Sequence, residues 1–248
     1  MSSTVEQRTG GVLEGRVVLV VGAHGGLGSA AALACARAGA TIVLLGRKVP
    51  KLNRVYDAII ANGGEALLYP LDLEGASADD YAELASRIQS ELGRLDGVLH
   101  CAAEFRGLTP LLHTDPAAFA RAVHVNLTAR WWLSQACLPL LAKADDAALV
   151  FVVDSLQRTG SAYWGGYGVA QHALAAMVGM LHAELGNSSV RVAGLEPGPM
   201  RTPLRSRVFV DENDRAARDP AVYADACVRL LSPAGAAERG TVWKPSHA

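Results

Sequence analysis

Charge of one sign is what this chain has least of. Its 248 residues hold 23 Lys and Arg against 24 Asp and Glu, a formal net charge of −1. A surface so balanced creates no field that would gather a polyanion, which argues against nucleic acid or an anionic membrane as partner. No apolar run approaches the ~20 residues of a membrane span. Cysteine is scarce: Cys35, Cys101, Cys137 and Cys227 are widely spaced and match no zinc pattern. The opening MSSTVEQRTGG has no apolar signal core, so the thiols are expected to be free and the protein cytoplasmic. Histidine offers no metal pair either. His172 and His182 stand ten positions apart, roughly 15 Å along a helix.

What the chain does have is apolar residues, half of the total, enough for a sizeable core. They fall in short runs. Arg16 to Val21, Thr41 to Leu45, Ala66 to Tyr69, Leu95 to Cys101, Ala148 to Val153 and Ser189 to Leu195 read as strands; several are continuously apolar, as in strands buried on both faces. Between them lie helical segments: Ser29 to Ala38 stopped by Gly39, Lys51 to Ala61, Ser77 to about Glu91, Asp115 to about Ala142 with Pro139 as a possible break, Tyr167 to Leu185, and Pro220 to Leu231. Leu174, Met177, Val178, Leu181 and Leu185 share one helical face. Gly240 to Trp243 reads as a last edge strand. Strict alternation of strand and helix predicts a doubly wound parallel sheet with helices on both faces, three-layer α/β/α, in a single domain from residue 15 to 248. Residues 1–14 read as a flexible arm. The least regular stretch, about 199–219, is charged and reads as a substrate loop.

The first strand runs into Gly22-Ala23-His24-Gly25-Gly26-Leu27-Gly28 and then a helix. Glycine lets a pyrophosphate approach bare backbone, and the helix N-terminus offers free N–H groups to the anion. Strand, glycine turn and helix in this order point to a bound dinucleotide; a tight turn that binds nothing is the plainer alternative. At the end of the second strand stands Gly46-Arg47-Lys48, where a carboxylate would favour NAD(H). A guanidinium pairs with a 2′-phosphate. NADP(H) is therefore favoured, with NAD(H) possible, and two solvated loop cations are the alternative.

The spacing G-x-x-x-G-x-G, with Gly22, Gly26 and Gly28, resembles the fingerprint of the short-chain dehydrogenase/reductase family. So do Tyr167 with Ser155 twelve positions before it, Asn126 in HVNLTAR, and Glu196-Pro197-Gly198-Pro199-Met200-Arg201-Thr202. LDGVLH and PGPMRTPLR, taken with the register from Ser155 to Tyr167, resemble the YciK-like bacterial oxidoreductases. The resemblance covers about Gly15 to Thr241 and implies a Rossmann fold, a small-molecule carbonyl or secondary alcohol as substrate, and assembly as a homodimer or homotetramer. It also implies roles. Gly22, His24, Gly26, Leu27, Gly28, Arg47, Asp72, Leu73, Ala102, Pro197, Gly198, Met200 and Thr202 would hold the cofactor together with Tyr167 and Gln171. Tyr167 would move the proton, Ser155 would bond the substrate oxygen, and Asn126 would hold a relay water. Taken singly, Tyr167 reads as a core aromatic, Ser155 as a cap, Asn126 as a helix cap or break, and Asp72 as a loop or cap residue.

This chain departs from the family at three places. Gln171 stands where the family has lysine, Val21 where it has the fingerprint threonine, and His100-Cys101-Ala102-Ala103 where it has N-N-A-G. An apolar contact replacing a polar one is nearly neutral when both partners change. The loss of lysine is not. A unit charge ~4 Å from a phenolate is worth about 4 kcal/mol at an effective dielectric near ~20. A slow enzyme is expected, unless a cation from elsewhere in the chain takes over. A nucleotide-binding protein without turnover and a non-redox reaction on the same fold are the alternatives. Arg47→Asp is expected to weaken NADPH at least about tenfold while leaving NADH within about threefold, read by titration of nicotinamide fluorescence.

Overall fold

The computed structural model describes residues 10–209 and 217–246. Seven parallel strands form one sheet: Val17–Val21 (β1), Thr41–Gly46 (β2), Glu65–Pro70 (β3), Gly97–His100 (β4), Ala147–Val152 (β5), Val190–Leu195 (β6) and Val242–Trp243 (β7). Their order is β3-β2-β1-β4-β5-β6-β7. The chain starts in the middle, winds one way, then returns to β4 and winds the other. This is the doubly wound Rossmann arrangement, and the reversal between β1 and β4 opens a crevice at the strands' carboxyl ends. Register follows side-chain alternation, with Val17, Leu19 and Val21 opposite Thr41, Val43 and Leu45.

Among the described residues eight helices accompany the sheet: Gly26–Arg37 (α1), Val49–Ala61 (α2), Ala78–Leu92 (α3), Pro116–Val123 (α4), Ala129–Leu141 (α5), Leu156–Thr159 (α6), Gly165–Glu184 (α7) and Ala224–Leu231 (α8). Period two in the strands splits the core. Leu19, Val21, Val98 and Phe151 pack beneath α3, α5 and α7; Val18, Val20, Leu99 and Val150 pack beneath α1, α2 and α8. The helical face read from Leu174, Val178 and Leu181 is buried as expected.

The helix expected from Asp115 to Ala142 is three pieces. Between α4 and α5, His124–Thr128 makes a π-type turn centred on Asn126, and Pro139 lies inside α5. Trp132 packs on the core and meets His124 edge-on, while Trp131 remains exposed. Ser77 caps α3 in a reciprocal box with Asp80. Of the expected N-terminal arm, residues 1–9 lie outside the described residues. Leu13 is fully buried and its N–H donates to Ala38 O, so the packed chain begins ahead of Gly15. Of the loop at 199–219, residues 210–216 lie outside the described residues; its two ends are joined by a bridge between Met200 and Arg218.

Far from the crevice, Asp146 ties three elements. It accepts from Arg16 at 2.6 Å and from Arg191 at 2.6 and 3.1 Å. Burial would raise this carboxyl, yet the bonds from Arg191 and Arg16 hold it below the usual aspartate range. A group depressed in the folded state adds stability above its unfolded value, and that stability is lost as pH falls through the folded one. Asp146→Asn strands the buried Arg191. It is expected to cost about 3 kcal/mol, roughly 6–12 °C in Tm at pH 7, with the deficit shrinking in thermal melts as pH falls below the usual aspartate range.

Candidate active site

A cavity of about 500 Å³ lies at the carboxyl ends of the central strands. One end is the glycine turn. Gly22 adopts φ +84°, and a Cβ there would sit 2.6 Å from the backbone of Ala102. At Gly28 a Cβ would sit 2.2 Å from Gly22 O, and at Gly26 2.8 Å from Thr202 Cγ2. These glycines are needed for the turn to close on β4 and on the 197–202 segment. Gly22, His24, Gly26 and Leu27 line the cavity; Gly28 lies beneath the turn and does not.

Arg47, Lys48 and Lys51 converge at this same end. Their charges add to burial, the larger effect, in holding the His24 imidazole below its usual range. His24 Nδ1 is buried with no hydrogen-bond partner. Asp72 faces Arg47 at 3.7 Å, and Leu73 completes the wall. Val21 belongs to the apolar cluster on which Ala102 packs, and Cys101 N donates to Val21 O at 2.9 Å. The altered pair is thus joined by backbone bonding and apolar contact. Ala102, Ala103, Pro197, Gly198, Met200 and Thr202 all reach the cavity wall.

The other end holds Tyr167, Ser155 and Gln171. Helix α7 carries Tyr167 and Gln171 one turn apart, and Ser155 precedes the first turn of α6. Ser155 Oγ makes no protein hydrogen bond among the described residues. The Gln171 carboxamide is engaged: its Oε1 accepts from Asp154 N at 2.9 Å. Tyr167 Oη donates to Asp154 Oδ2 at 3.1 Å. Burial first, and then the Asp154 carboxylate, push this phenol well above its usual range, against the pull of Arg130 and Arg158. Phe105 and Trp164 pack around the ring, with Phe105 edge-on at 5.1 Å.

Two segments near the cavity stand back from its wall. Asn126 does not reach the cavity wall. Its amide donates to Glu104 O at 2.7 Å and Ala122 O at 2.8 Å, and its Oδ1 accepts from Glu104 N at 3.0 Å. Both amide hydrogens and the carbonyl oxygen of the side chain are used to staple the chain after β4. Residues 104–108 do not line the cavity, and Phe105 turns inward.

Two residues were not foreseen. Arg130, on the first turn of α5, is 1% exposed and donates to Val152 O at 3.1 Å and to Ala102 O, with Nε unpartnered. Burial pulls it down to about 10. Asp154 sits between Ser155 and the sheet and pairs with Arg158. Only the neighbouring Ser155 pointed to Asp154, and an Arg among apolar helix residues gave no periodic signal.

The short chain dehydrogenase family model matches residues 16–213. This chain belongs to the short-chain dehydrogenase family. It is 37% identical over 211 residues to the uncharacterized oxidoreductase YciK of Escherichia coli (strain K12), covering 85% of this chain and 83% of that one. A short-chain dehydrogenase structure from Salmonella enterica serovar Typhi superposes with TM-score 0.91 at 36% identity, covering 96% of this chain and 98% of that one. One from Escherichia coli CFT073, complexed with NADPH, gives TM-score 0.89 at 35% identity, covering 94% and 97%. Among the described residues no helix is long and apolar enough to cross a membrane and no His, Cys, Asp or Glu cluster forms a metal site. The four cysteines are free.

Within this short-chain dehydrogenase, Gly22→Ala forces a left-handed φ on a side chain that meets backbone. It is expected to cost about 1–3 kcal/mol, seen as a lower Tm against Gly15→Ala, where φ is also positive but the space is open.

Proposed function

We propose that this short-chain dehydrogenase is an NADP(H)-dependent oxidoreductase that transfers hydride between the nicotinamide and a small carbonyl or secondary alcohol. The observation that carries the reading is the shared cavity, with the glycine turn and three cations at one end and Tyr167 with Ser155 at the other. The wall fits the group. An unpartnered His24 Nδ1 and Arg47, Lys48 and Lys51 suit a phosphorylated ribose, and the start of α1 suits a pyrophosphate. The NADPH-bound relative supports the phosphorylated form over NAD(H). Gly22, His24, Gly26, Leu27, Arg47, Asp72, Leu73 and Ala102 would hold the adenosine and pyrophosphate side; Pro197, Gly198, Met200 and Thr202 would hold the nicotinamide side. When bound, the cofactor supplies the hydride.

The chain's own residues handle the proton and the substrate oxygen. Ser155, with a free hydroxyl, bonds that oxygen. Tyr167 exchanges a proton with it. Gln171 keeps an amide for ribose contact while fixing the backbone of Asp154. A homodimer or homotetramer, joined through the long helices α5 and α7, is the expected assembly. A protein that binds the nucleotide without turnover is the second reading, favoured by the neutral Gln171.

Purified protein is expected to enhance NADPH fluorescence on binding and to oxidise NADPH with at least one member of a panel of small ketones and aldehydes. Tyr167→Phe is expected to lower kcat by about 10²–10⁴ while leaving the NADPH Kd within about threefold. Unchanged turnover in that variant rules the phenol out.

A further inference from the structure

We propose that Asp154 is the proton acceptor of Tyr167, so that the carboxylate and phenol act as one dyad in proton transfer. This rests on the oxidoreductase reading for the reaction served, and on geometry alone for the dyad. Four contacts converge on Asp154. Tyr167 Oη donates to Oδ2 at 3.1 Å, Ser155 N donates to Oδ1 at 2.7 Å, the Arg158 guanidinium pairs with Oδ1, and Asp154 N is held by Gln171 Oε1 at 2.9 Å. One oxygen is thus fixed by a cation and a backbone donor, and the other is aimed at the phenol. Arg158 sets a positive charge against Oδ1, and Oδ2 keeps the lone pairs that a proton would need.

The chemistry requires such a group. A buried phenol is a poor base at neutral pH, because its anion must be formed in a site that desolvates it. A cation one turn away would stabilise that anion, and Gln171 is neutral. A carboxylate in contact removes the need for a free phenolate, since the proton passes through the phenol oxygen. The charged and titratable groups facing the pair are Arg158 from α6, Arg130 from α5 and, near Arg130, the Cys101 thiol after β4, which burial pushes up to about 12. Both guanidiniums offset the negative charge that Asp154 adds.

In the alcohol-oxidising direction the substrate O–H bond breaks and its proton bonds to Tyr167 Oη. The Tyr167 O–H bond breaks and its proton bonds to Asp154 Oδ2. The carbinol C–H bond breaks as hydride leaves to the oxidised nicotinamide dinucleotide. The alcohol becomes a ketone, the dinucleotide is reduced, and the carboxyl group releases its proton to solvent.

The test compares wild type with Asp154→Asn, which keeps shape and a hydrogen bond but accepts no proton. With cyclohexanol and 1-phenylethanol plus NADP⁺, wild-type kcat/KM is expected to be flat from about pH 6.5 to 9. The variant is expected to fall at least about 100-fold at pH 7 and to recover about tenfold per pH unit toward alkali, where the ionised phenol alone serves. A loss equal at every pH, or no loss, overturns the dyad. A second readout needs no turnover. In protein labelled with ¹³Cζ-tyrosine, with Tyr167→Phe for assignment, the Tyr167 phenol is expected to titrate at least about tenfold more acidic in Asp154→Asn than in wild type. An unmoved midpoint overturns the proposal. A midpoint that moves in a protein turning over no alcohol upholds the pair and places the failure on the oxidoreductase reading.

Discussion

One buried guanidinium holds the floor of the active site. Arg130 reaches the carbonyl ends of two central strands at once, bonding Ala102 O just after β4 and Val152 O at the end of β5. Neither carbonyl has a further strand residue to accept from at this height, and a buried carbonyl left unpaired costs about 1–3 kcal/mol. No carboxylate pairs with Arg130 among the described residues, so the charge is held by backbone dipoles alone. The two strands it spans carry the walls of the cavity: Ala102 and Ala103 on one side, and Asp154 and Ser155 on the other. Moving this side chain would move both.

The Tyr167–Asp154 pair stands on that floor. Tyr167 is placed by α7 and its ring is gripped by Phe105 and Trp164, leaving its hydroxyl the Asp154 carboxylate as partner. Gln171 serves the same arrangement from one turn away through Asp154 N. The exchange of lysine for glutamine therefore does more than remove a charge. A lysine has no acceptor and would leave that backbone N–H without its partner. Arg130 and Arg158 bring positive charge from two other elements, but burial and the Asp154 carboxylate outweigh it and hold the phenol well above its usual range.

The fold was legible because a parallel sheet covered on both faces demands runs of Val, Ile and Leu at strand length. Those runs survive here from Val17 to Leu195 with hardly a polar interruption. Boundaries moved by a residue or two, since a strand ends where its pairing ends rather than where its hydrophobicity does. The π-type turn at Asn126 was not legible, because its cause is tertiary: the amide must meet the Glu104 backbone on another segment. The same bonding holds Asn126 back from the cavity wall. Phe105 followed the same logic, turning inward because Trp164 and Tyr167 offered it an aromatic surface.

By itself the sequence determined the order of strands and helices, the glycine turn after β1, the cationic end of β2 and the spacing of Ser155 and Tyr167. All are local properties, set by side-chain period and by steric need within a few residues. Only the tertiary structure decided what surrounds the Tyr167 hydroxyl. Asp154 and Arg130 stand 13 and 37 positions away in the chain, on other elements. Whether they meet a phenol depends on how helices lie across the sheet, and no local pattern encodes that.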